Sequence, residues 1–394
     1  MIYREKYLAE IRGFYHSDLI KIITGVRRCG KSFVLEQIME ELSKETENFI
    51  FLDFDDRIAT ADIETWQDIV RYVQNNRKDG LCYVFLDEVQ EIDGWASACR
   101  ALRRENCSVF ITGSNSKLLS REFTKELSGR YVSFRIRPFV YLELQEYARQ
   151  LNRDCSVSDY LVWGGFPKRL EFATPEEQRR YLSDLNETIV ANDLISRYGI
   201  RKQSEFRKVV NFILISNSRT YSAKFISDHM IGNGINVTPN TVQKWIDYLE
   251  SAYIIDEVPR YSKKAKKELE QSRKIYNSDV SLNSIRCRDN RFDLTHNLEN
   301  IVYNELVYRG FSVTVFDNNG KEIDFLAEKD RKKTYVQVAY SVAEEKTWKR
   351  EFEAFTGIPV YDRKVIITND DMDFSTSSIE HIRLADFLQN TSVI

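Results

Sequence analysis

The chain has 394 residues, 42% of them hydrophobic, with only 15 glycines and 6 prolines, which excludes a disordered or fibrous protein. One hydrophobic core rarely serves this length, so we expect two or three domains. The 57 Lys and Arg nearly cancel the 60 Asp and Glu, so overall charge does not indicate a polyanionic partner. The cysteines form no C-x-x-C pair and the histidines no H-E-x-x-H, which argues against a disulfide framework or structural zinc. Without a signal peptide pattern or a long apolar run, we expect a soluble, cytoplasmic protein with no membrane partner.

A phosphate-binding pattern, G-x-x-x-x-G-K-S, runs from Gly25 to Ser32. It follows an apolar run at 19–23, a predicted strand, and precedes a helical pattern. Backbone N–H groups at such a turn, with the positive end of a helix dipole behind them, favour phosphate. We expect Lys31 to reach the β and γ phosphates of ATP and Ser32 to ligate Mg²⁺. The predicted nucleotide-binding residues here are Gly25, Val26, Arg27, Arg28, Cys29, Gly30, Lys31, Ser32 and Phe33.

Three further apolar runs, at 49–54, 81–86 and 108–114, alternate with helical patterns at 63–73 and 95–104. Strands rich in β-branched and aromatic residues that alternate with helices are typical of a parallel sheet covered on both faces. Residues 1–150 are therefore predicted to form one α/β domain.

Two acids, Asp87 and Glu88, end the third predicted strand, where a phosphate-loop enzyme carries its magnesium-associated carboxylate. We expect Asp87 to hold the metal and Glu88 to activate water as the catalytic base. A small-molecule kinase needs no such base, so the pair favours hydrolysis. The alternative, two acids that merely end a strand on a solvated loop, ranks lower beside a phosphate loop.

The fourth strand leads into Ser114 and Asn115, which are candidate sensors of the γ-phosphate or of the attacking water. The alternative, a polar loop that caps the next helix, is almost as well supported. Arg130 precedes another predicted strand and is a candidate arginine finger, acting in cis or across a subunit interface. Most arginines are solvated surface residues, so this assignment depends on its position alone.

The remaining chain is predicted to form three segments. Residues 151–200 read as a helical lid, interrupted at 163–167 by two glycines and a proline. Residues 201–278 combine helical patterns at 206–216 and 221–230, a helix starting at Thr238-Pro239, and two strands, the outline of a winged helix. Residues 279–394 form an α/β unit that includes a hairpin at Asn318-Asn319-Gly320.

Several of these stretches together resemble the prokaryotic AAA-type ATPases of the archaeal-ATPase group. The stretches are 23–32, 86–90, 111–116, 127–131, 164–167, 274–279 and 322–325. The resemblance implies a P-loop ATPase domain followed by a winged helix and a C-terminal domain related to restriction endonucleases. It is specific for the family but not for a biological role.

In restriction-type nucleases a helix Glu, a strand Asp and an E-x-K on the next strand bind Mg²⁺. The resemblance assigns Asp324 as the strand Asp and Glu299 or Glu305 as the helix acid. Gln337 and Ala339 stand in place of the E-x-K, so we expect a degenerate domain without nuclease activity. The alternative is that a lysine of the next helix, Lys346 or Lys349, replaces the missing one.

DNA is the partner candidate for the winged-helix segment. Between residues 201 and 274 there are 14 Lys and Arg against 8 Asp and Glu, a local excess of six. The basic residues of the predicted wing, which could meet phosphates, are Lys263, Lys264, Lys266 and Lys267. On the third helix, Asn240, Gln243 and Lys244 could face a groove. A solvated basic loop or a surface for a protein partner is an equal alternative.

The leading hypothesis is an Mg²⁺-dependent ATPase whose nucleotide state repositions the C-terminal domains, which act on DNA or a protein partner. Two alternatives stay open: a non-hydrolysing nucleotide-binding switch or scaffold, and an ATP-dependent nuclease. The sequence leaves open the oligomeric state and the preference for ATP over GTP.

Overall fold

The computed structural model describes residues 2–56, 58, 60–114, 127, 129–262, 267–287 and 291–394, with the backbone alone at 267–272. The described chain forms two compact units. Unit 1 comprises Met1–Pro138 with Ser251–Tyr253, and unit 2 comprises Phe139–Glu250 with Ile254–Ile394. In the described ranges no helix combines the length and apolarity that crossing a membrane requires.

Unit 1 is built on a parallel sheet, as predicted. Its strands are β1 (Ile20–Thr24), β2 (Phe49–Asp53), β3 (Cys82–Asp87), β4 (Cys107–Gly113) and β5 (Tyr131–Arg135), in the order β2-β3-β4-β1-β5 with every neighbouring pair parallel. Its helices are α1 (Glu5–Arg12), α2 (Lys31–Leu42), α3 (Trp66–Asn76) and α4 (Trp95–Arg104). Every residue of β1, β3 and β4 is buried, which explains why these strands read as continuous apolar runs.

The strand order brings the predicted site together. Because all five strands are parallel, the segments that follow Thr24, Asp87 and Gly113 leave the sheet at one edge. Strand β4 lies between β1 and β3, so Ser114, which follows it, lies between the phosphate loop and the acidic pair.

Unit 2 begins with helices. These are α5 (Tyr141–Gln150), α6 (Val157–Trp163), α7 (Pro175–Thr188), which continues as a π-helix at Ile189–Ser196, α8 (Gln203–Ile215), α9 (Ala223–Gly232) and α10 (Pro239–Ser251). Later helices are α11 (Ser281–Ser284), α12 (Leu294–Tyr308), α13 (Glu345–Glu353) and α14 (Leu384–Gln389). As predicted, a helix starts at Thr238-Pro239, where the Thr238 hydroxyl accepts the Thr241 N–H at 3.3 Å.

The strands of unit 2 form one eight-stranded sheet. They are β6 (Thr220–Tyr221), β7 (Ile255–Ser262), β8 (Lys267–Asn277), β9 (Ser312–Asn318), β10 (Lys321–Lys329), β11 (Lys332–Val338), β12 (Arg363–Thr368) and β13 (Glu380–Arg383), in the order β13-β12-β11-β10-β9-β7-β8-β6. Strand β7 pairs antiparallel with β8 and, over its last residues, parallel with β9. The sheet therefore continues across the boundary expected at 278/279.

Two predicted turn motifs have clear structural causes. Between β9 and β10, Asn319 has φ 57° and Gly320 φ 92°, which is the geometry of the expected hairpin turn. In the Gly164-Gly165 turn, Asp279 accepts the Gly165 N–H at 2.6 Å, and a Cβ on Gly164 would lie 2.0 Å from that carboxylate. Gly164 must therefore be glycine, because any side chain there would collide with the Asp279 carboxylate.

Candidate nucleotide-phosphate site

The phosphate loop connects β1 to α2 and requires glycine at its start. Gly25 has φ 148°, and a Cβ there would lie 2.2 Å from the carbonyl oxygen of Ile136. Gly30, at φ 101°, directly precedes α2, whose first residue is Lys31. The unpaired N–H groups of the first helical turn therefore face the loop, as an anion site requires.

Lys31 is almost entirely buried and points to the third strand. Its Nζ lies 3.4 Å from Glu88 Oε1 and 3.4 Å from the carbonyl oxygen of Val26. Burial alone would raise the pKa of Glu88, but the Lys31 ammonium, assisted by Gln90, holds that pKa below its usual range. The structure thus brings together the predicted phosphate-binding lysine and the predicted base.

Asp87 lies beside Ser32, the other predicted metal ligand. Its carboxylate is buried, which raises its pKa, and it accepts hydrogen bonds from the hydroxyls of Ser32 and Thr112. Thr112 Oγ1 also accepts the Glu88 N–H at 2.9 Å. Thr112 therefore positions both acids. It was missed in the sequence, although a hydroxyl inside an otherwise apolar buried strand is the signal that identifies it.

Ser114 reaches the same place from the end of β4. Its N–H donates to Glu88 Oε2 at 3.2 Å, and its buried hydroxyl has no hydrogen-bond partner among the described residues. Such an unused polar group fits the predicted sensor role. Asn115, the other sensor candidate, lies outside the described residues.

The other predicted loop residues differ in exposure. Val26 and Cys29 are buried, and the Cys29 thiol donates to the Ile136 carbonyl at 3.4 Å. Arg27 is half-buried, whereas Arg28 is exposed. Phe33 is 53% exposed on the first turn of α2, so it is available to contact a ligand.

Arg4, which sequence reasoning missed, supports the loop from behind. Its side chain is only 1% exposed, and Nη1 donates to the carbonyl oxygens of Cys29 at 3.1 Å and Arg137 at 2.9 Å. The backbone around it is fixed by Gln37, whose amide contacts the Arg4 N–H and the Ile2 carbonyl. No motif identifies an isolated arginine at this position.

Arg130 is not brought to the phosphate loop of its own chain. Its carbonyl accepts the Ile20 N–H, so it precedes β5 at the edge opposite the loop, about 16 Å along the strand from Arg135. Arg135 instead pairs in register with Thr24, the residue before Gly25, and its guanidinium lies 4.9 Å from the Tyr253 ring centre. A role for Arg130 across a subunit interface stays a prediction.

A second charged cluster, which we call the Lys274 cluster, lies in unit 2. Lys274 Nζ contacts Glu322 at 2.7 Å, Glu299 at 2.9 Å and Asp324 at 3.2 Å. All but Glu322 are buried, and the carboxylates raise the pKa of Lys274 against the effect of burial. This cluster lines a cavity of about 920 Å³.

The cluster decides between the two expected helix acids. Glu299 belongs to it, whereas Glu305 forms an ion pair with Arg309 at 2.8 Å. Gln337 accepts the Asp324 N–H at 3.2 Å and donates to Glu351 at 2.7 Å. A lysine is therefore present among the acids, but it comes from β8 and not from the exposed Lys346 or Lys349.

The predicted DNA-contacting residues are only partly described. Lys263, Lys264 and Lys266 lie outside the described residues, as does the side chain of Lys267. On α10, Asn240 and Lys244 are exposed, whereas Gln243 donates to Asp247 at 2.9 Å and lies 3.5 Å from Glu257. Gln243 thus faces a cavity that the acids Asp247, Glu250 and Glu257 also line.

Comparison with known proteins agrees with the fold of unit 1. Residues 17–145 match the model of an AAA domain, and residues 155–288 match that of a domain of unknown function. An uncharacterized protein of Haemophilus influenzae is 32% identical over 357 residues, covering 87% of this chain and 88% of that protein. An uncharacterized protein of Methanocaldococcus jannaschii is 27% identical over 387 residues, covering 92% of this chain and 84% of that protein. Among solved structures, a Walker-type ATPase of Pyrococcus abyssi is similar in fold, with TM-score 0.50, 15% identity, and coverage of 73% of this chain and 96% of that one.

Proposed function

This chain belongs to the family of AAA-domain proteins that includes the Haemophilus influenzae relative, and on that premise we propose that it binds and hydrolyses ATP with Mg²⁺. The observation that carries the proposal is the Lys31–Glu88 pair at the phosphate loop. Hydrolysis of a phosphoryl group needs a lysine ammonium beside a helix N-terminus and close to a buried base, and Lys31 has this position.

A phosphate could replace the carboxylate that now contacts Lys31. In the described structure Glu88 partly neutralises Lys31, so an incoming γ-phosphate would compete with a carboxylate for the same ammonium. On binding, Lys31 would transfer its interaction to phosphate, and Glu88 would be released from it. Glu88 would keep the Ser114 N–H as a partner and remain close to the reacting phosphate.

Ser32 and Asp87 fit a magnesium ion. Mg²⁺ prefers oxygen ligands and usually keeps several waters beside one or two protein groups and the substrate phosphates. A hydroxyl and a buried carboxylate in mutual contact supply such a set, and the raised pKa of Asp87 indicates a buried anion that lacks a full countercharge. The ion would neutralise charge that develops on the β and γ phosphates.

The chain's own groups would then divide the reaction between them. Lys31 and the loop N–H groups would hold the γ-phosphate, and Glu88 would accept the proton of the attacking water. Thr112 would keep Asp87 and Glu88 in place through its two hydrogen bonds. Ser114 would donate its unused hydroxyl to the γ-phosphate or to the water.

Phosphate release by purified protein with ATP and Mg²⁺ tests the proposal. Glu88→Gln should lower the turnover rate by about 10²-fold or more while ATP still binds. Glu91→Gln, which changes an exposed acid three residues away, is the matched control and should leave the rate unchanged. Equal rates for wild type and Glu88→Gln would refute the assignment. Tight binding of ATP without turnover by wild type would establish the non-hydrolysing switch instead.

For unit 2, the proposed role is to carry the nucleotide state to a partner. The order α8-β6-α9-α10-β7-β8, with β6 and β7 both paired to β8, supports a winged-helix arrangement for residues 203–277. The cavity beside Gln243 is lined by three acids and two bases, Lys224 and Arg273, so it is not a strongly basic surface, and DNA contact would depend on the wing lysines. Mobility shifts at low salt with and without substitution of Lys263, Lys264, Lys266 and Lys267 distinguish DNA from a protein partner.

For the C-terminal part of unit 2, the proposed state is a nuclease-like arrangement without nuclease activity. Lys274 already neutralises part of the charge of Glu299, Glu322 and Asp324, which reduces the demand for a metal ion. Gln337 is engaged by a backbone N–H and by Glu351. Cleavage of DNA by wild type that depends on Mg²⁺ and is lost in Asp324→Ala would overturn this and support the ATP-dependent nuclease.

A further inference from the structure

Gln90 lies against the carboxylate of Glu88 because the chain turns sharply after β3. Glu88 has φ 48°, in the left-handed region, and the next three residues, Val89–Glu91, form one 3₁₀ turn. This turn brings the Gln90 side chain back to Glu88, and its Nε2 donates to Glu88 Oε2. The same carboxylate oxygen accepts the Ser114 N–H at 3.2 Å.

The chemistry of the two groups fixes the orientation of the Gln90 amide. A carboxylate only accepts hydrogen bonds, so the group that contacts Glu88 Oε2 must be the NH₂ of Gln90 and not its carbonyl oxygen. That oxygen, Oε1, is buried and has no hydrogen-bond partner among the described residues. A buried acceptor without a hydrogen bond is unfavourable, so a bound molecule that donates a hydrogen bond to Gln90 Oε1 would be stabilised beside the proposed base.

Two unused polar atoms therefore flank Glu88: Gln90 Oε1, an acceptor, and Ser114 Oγ, a donor and acceptor. Lys31 binds the other carboxylate oxygen, Oε1. If Lys31 turns to a bound γ-phosphate, that carboxylate oxygen becomes free to accept a hydrogen bond. A water molecule within hydrogen-bond distance of both atoms would then donate one hydrogen bond to Glu88 Oε1 and the other to Gln90 Oε1.

We propose that Gln90 is the second residue that positions the attacking water, together with Glu88. This inference rests on the proposed ATPase function and adds a residue to it. With both protons of the water directed to Glu88 and Gln90, a lone pair of its oxygen points to the γ-phosphorus. The water oxygen forms the new P–O bond, the bond to the ADP oxygen breaks, and Glu88 takes the proton that the water loses. Gln90 stays neutral and unchanged throughout.

The decisive variant is Gln90→Met, which keeps the side-chain volume and removes both hydrogen-bonding atoms. The measurements are the kcat and KM for ATP hydrolysis, the Kd of a non-hydrolysable ATP analogue, and the melting temperature. We expect kcat to fall about 10²-fold, as for a misplaced reactant, with the Kd and the melting temperature unchanged. Gln90→Asn, which withdraws the amide by one methylene, should also lose most of the rate and serves if the Met variant does not fold.

The matched control is Gln74→Met, because Gln74 also donates to a glutamate, Glu105 at 2.7 Å, but on the exposed face of α3. It should leave kcat unchanged. A kcat for Gln90→Met within twofold of wild type would overturn the inference. So would a fall in kcat that is matched by losses in affinity and melting temperature, since that identifies a purely structural brace. If wild type is active and Glu88→Gln is not, these outcomes bear on Gln90 alone, whereas an inactive wild type overturns the ATPase proposal and this inference together.

Discussion

Lys21 provides a quantitative test of the folded core of unit 1. Its side chain is fully buried in β1, where Nζ donates to Ser108 Oγ at 2.6 Å and to the Ser17 carbonyl at 3.1 Å. The ammonium also lies 4.5 Å from the ring centre of Phe110. Burial lowers the pKa of Lys21 to about 7 from its ordinary 10.5, and nearby Asp18 offsets only part of this. The perturbation we consider is Lys21→Met.

The direction of the pH effect follows from these two pKa values. Because the pKa is lower in the folded than in the unfolded chain, folding releases a proton from Lys21 between about pH 7 and 10.5, and stability rises with pH there. The rise approaches about 1.4 kcal/mol per pH unit, which amounts to roughly 3 kcal/mol between pH 7 and 9.5. Well below pH 7 both states are protonated, so this contribution to the free energy of unfolding becomes constant.

In Lys21→Met the contribution disappears, and two hydrogen bonds of about 1 kcal/mol each are lost with it. At pH 7 burial of Lys21 destabilises the folded wild type by about 4 kcal/mol relative to high pH. The variant escapes this loss but gives up about 2 kcal/mol of hydrogen bonds, so it should be about 2 kcal/mol more stable than wild type at pH 7. By pH 9.5 the remaining cost is about 1.4 kcal/mol, and the variant should be slightly less stable. Between pH 7 and 9.5 the stability of the variant relative to wild type should therefore change by roughly 3 kcal/mol and reverse its sign.

Urea unfolding of the full chain at several pH values from 7 to 9.5 measures this difference in stability. The unfolding transition to follow is the one whose midpoint differs between wild type and Lys21→Met. Lys78→Met is the control, because Lys78 is an exposed residue paired with Glu47. A stability difference between wild type and Lys21→Met that stays constant from pH 7 to 9.5 would refute the reasoning. It would mean that the buried amine remains charged at all these pH values.

Three shorter predictions concern other parts of the chain. Lys274→Met leaves three acids without their cation, so the free energy of unfolding in urea at neutral pH should fall by about 3–5 kcal/mol. The loss should be smaller at pH 5, where carboxyls become protonated. An unchanged unfolding midpoint would contradict the ion pairs. Gly25→Ala directs a Cβ to 2.2 Å from a carbonyl oxygen and should abolish binding of a fluorescent ATP analogue, whereas Gly13→Ala, with open space around it, should bind normally. Arg135→Ala should weaken that binding more than Arg130→Ala, because Arg135 lies at the loop edge of the sheet; the reverse order would favour the arginine finger.

The sequence predicted most of unit 1 because its signals are local. Buried parallel strands give apolar runs, and the phosphate loop has fixed spacing, so the strands, the loop and the acidic pair are where we expected them. The partners of those residues depend on strand order, which has no local signal. Thr112 beside Asp87, and Arg4 behind Cys29, are contacts between segments distant in sequence.

Unit 2 shows the same limit more strongly. The hairpin at Asn319-Gly320 and the helix start at Thr238 follow from local backbone chemistry and were predicted. The parallel pairing of β7 with β9 was not, because the paired residues, such as Arg260 and Val315, are 55 positions apart in the sequence. Lys274 entered the sequence analysis only through the resemblance stretch 274–279, and its approach to Asp324, on a strand that is not its neighbour in the sheet, is seen only in the ion-pair distance of 3.2 Å.

The hydrogen bond from Arg4 to the Arg137 carbonyl has a consequence for synthesis of the protein. It joins residues 133 positions apart, and the same guanidinium supports the Cys29 carbonyl of the phosphate loop. During translation the loop leaves the ribosome long before residue 137, so its rear support can form only after the last strand of unit 1 has emerged. Contacts of such sequence separation form late, since loop closure must precede them. The nascent chain would therefore complete this support of the phosphate loop only after the strands of the unit 1 sheet have been made.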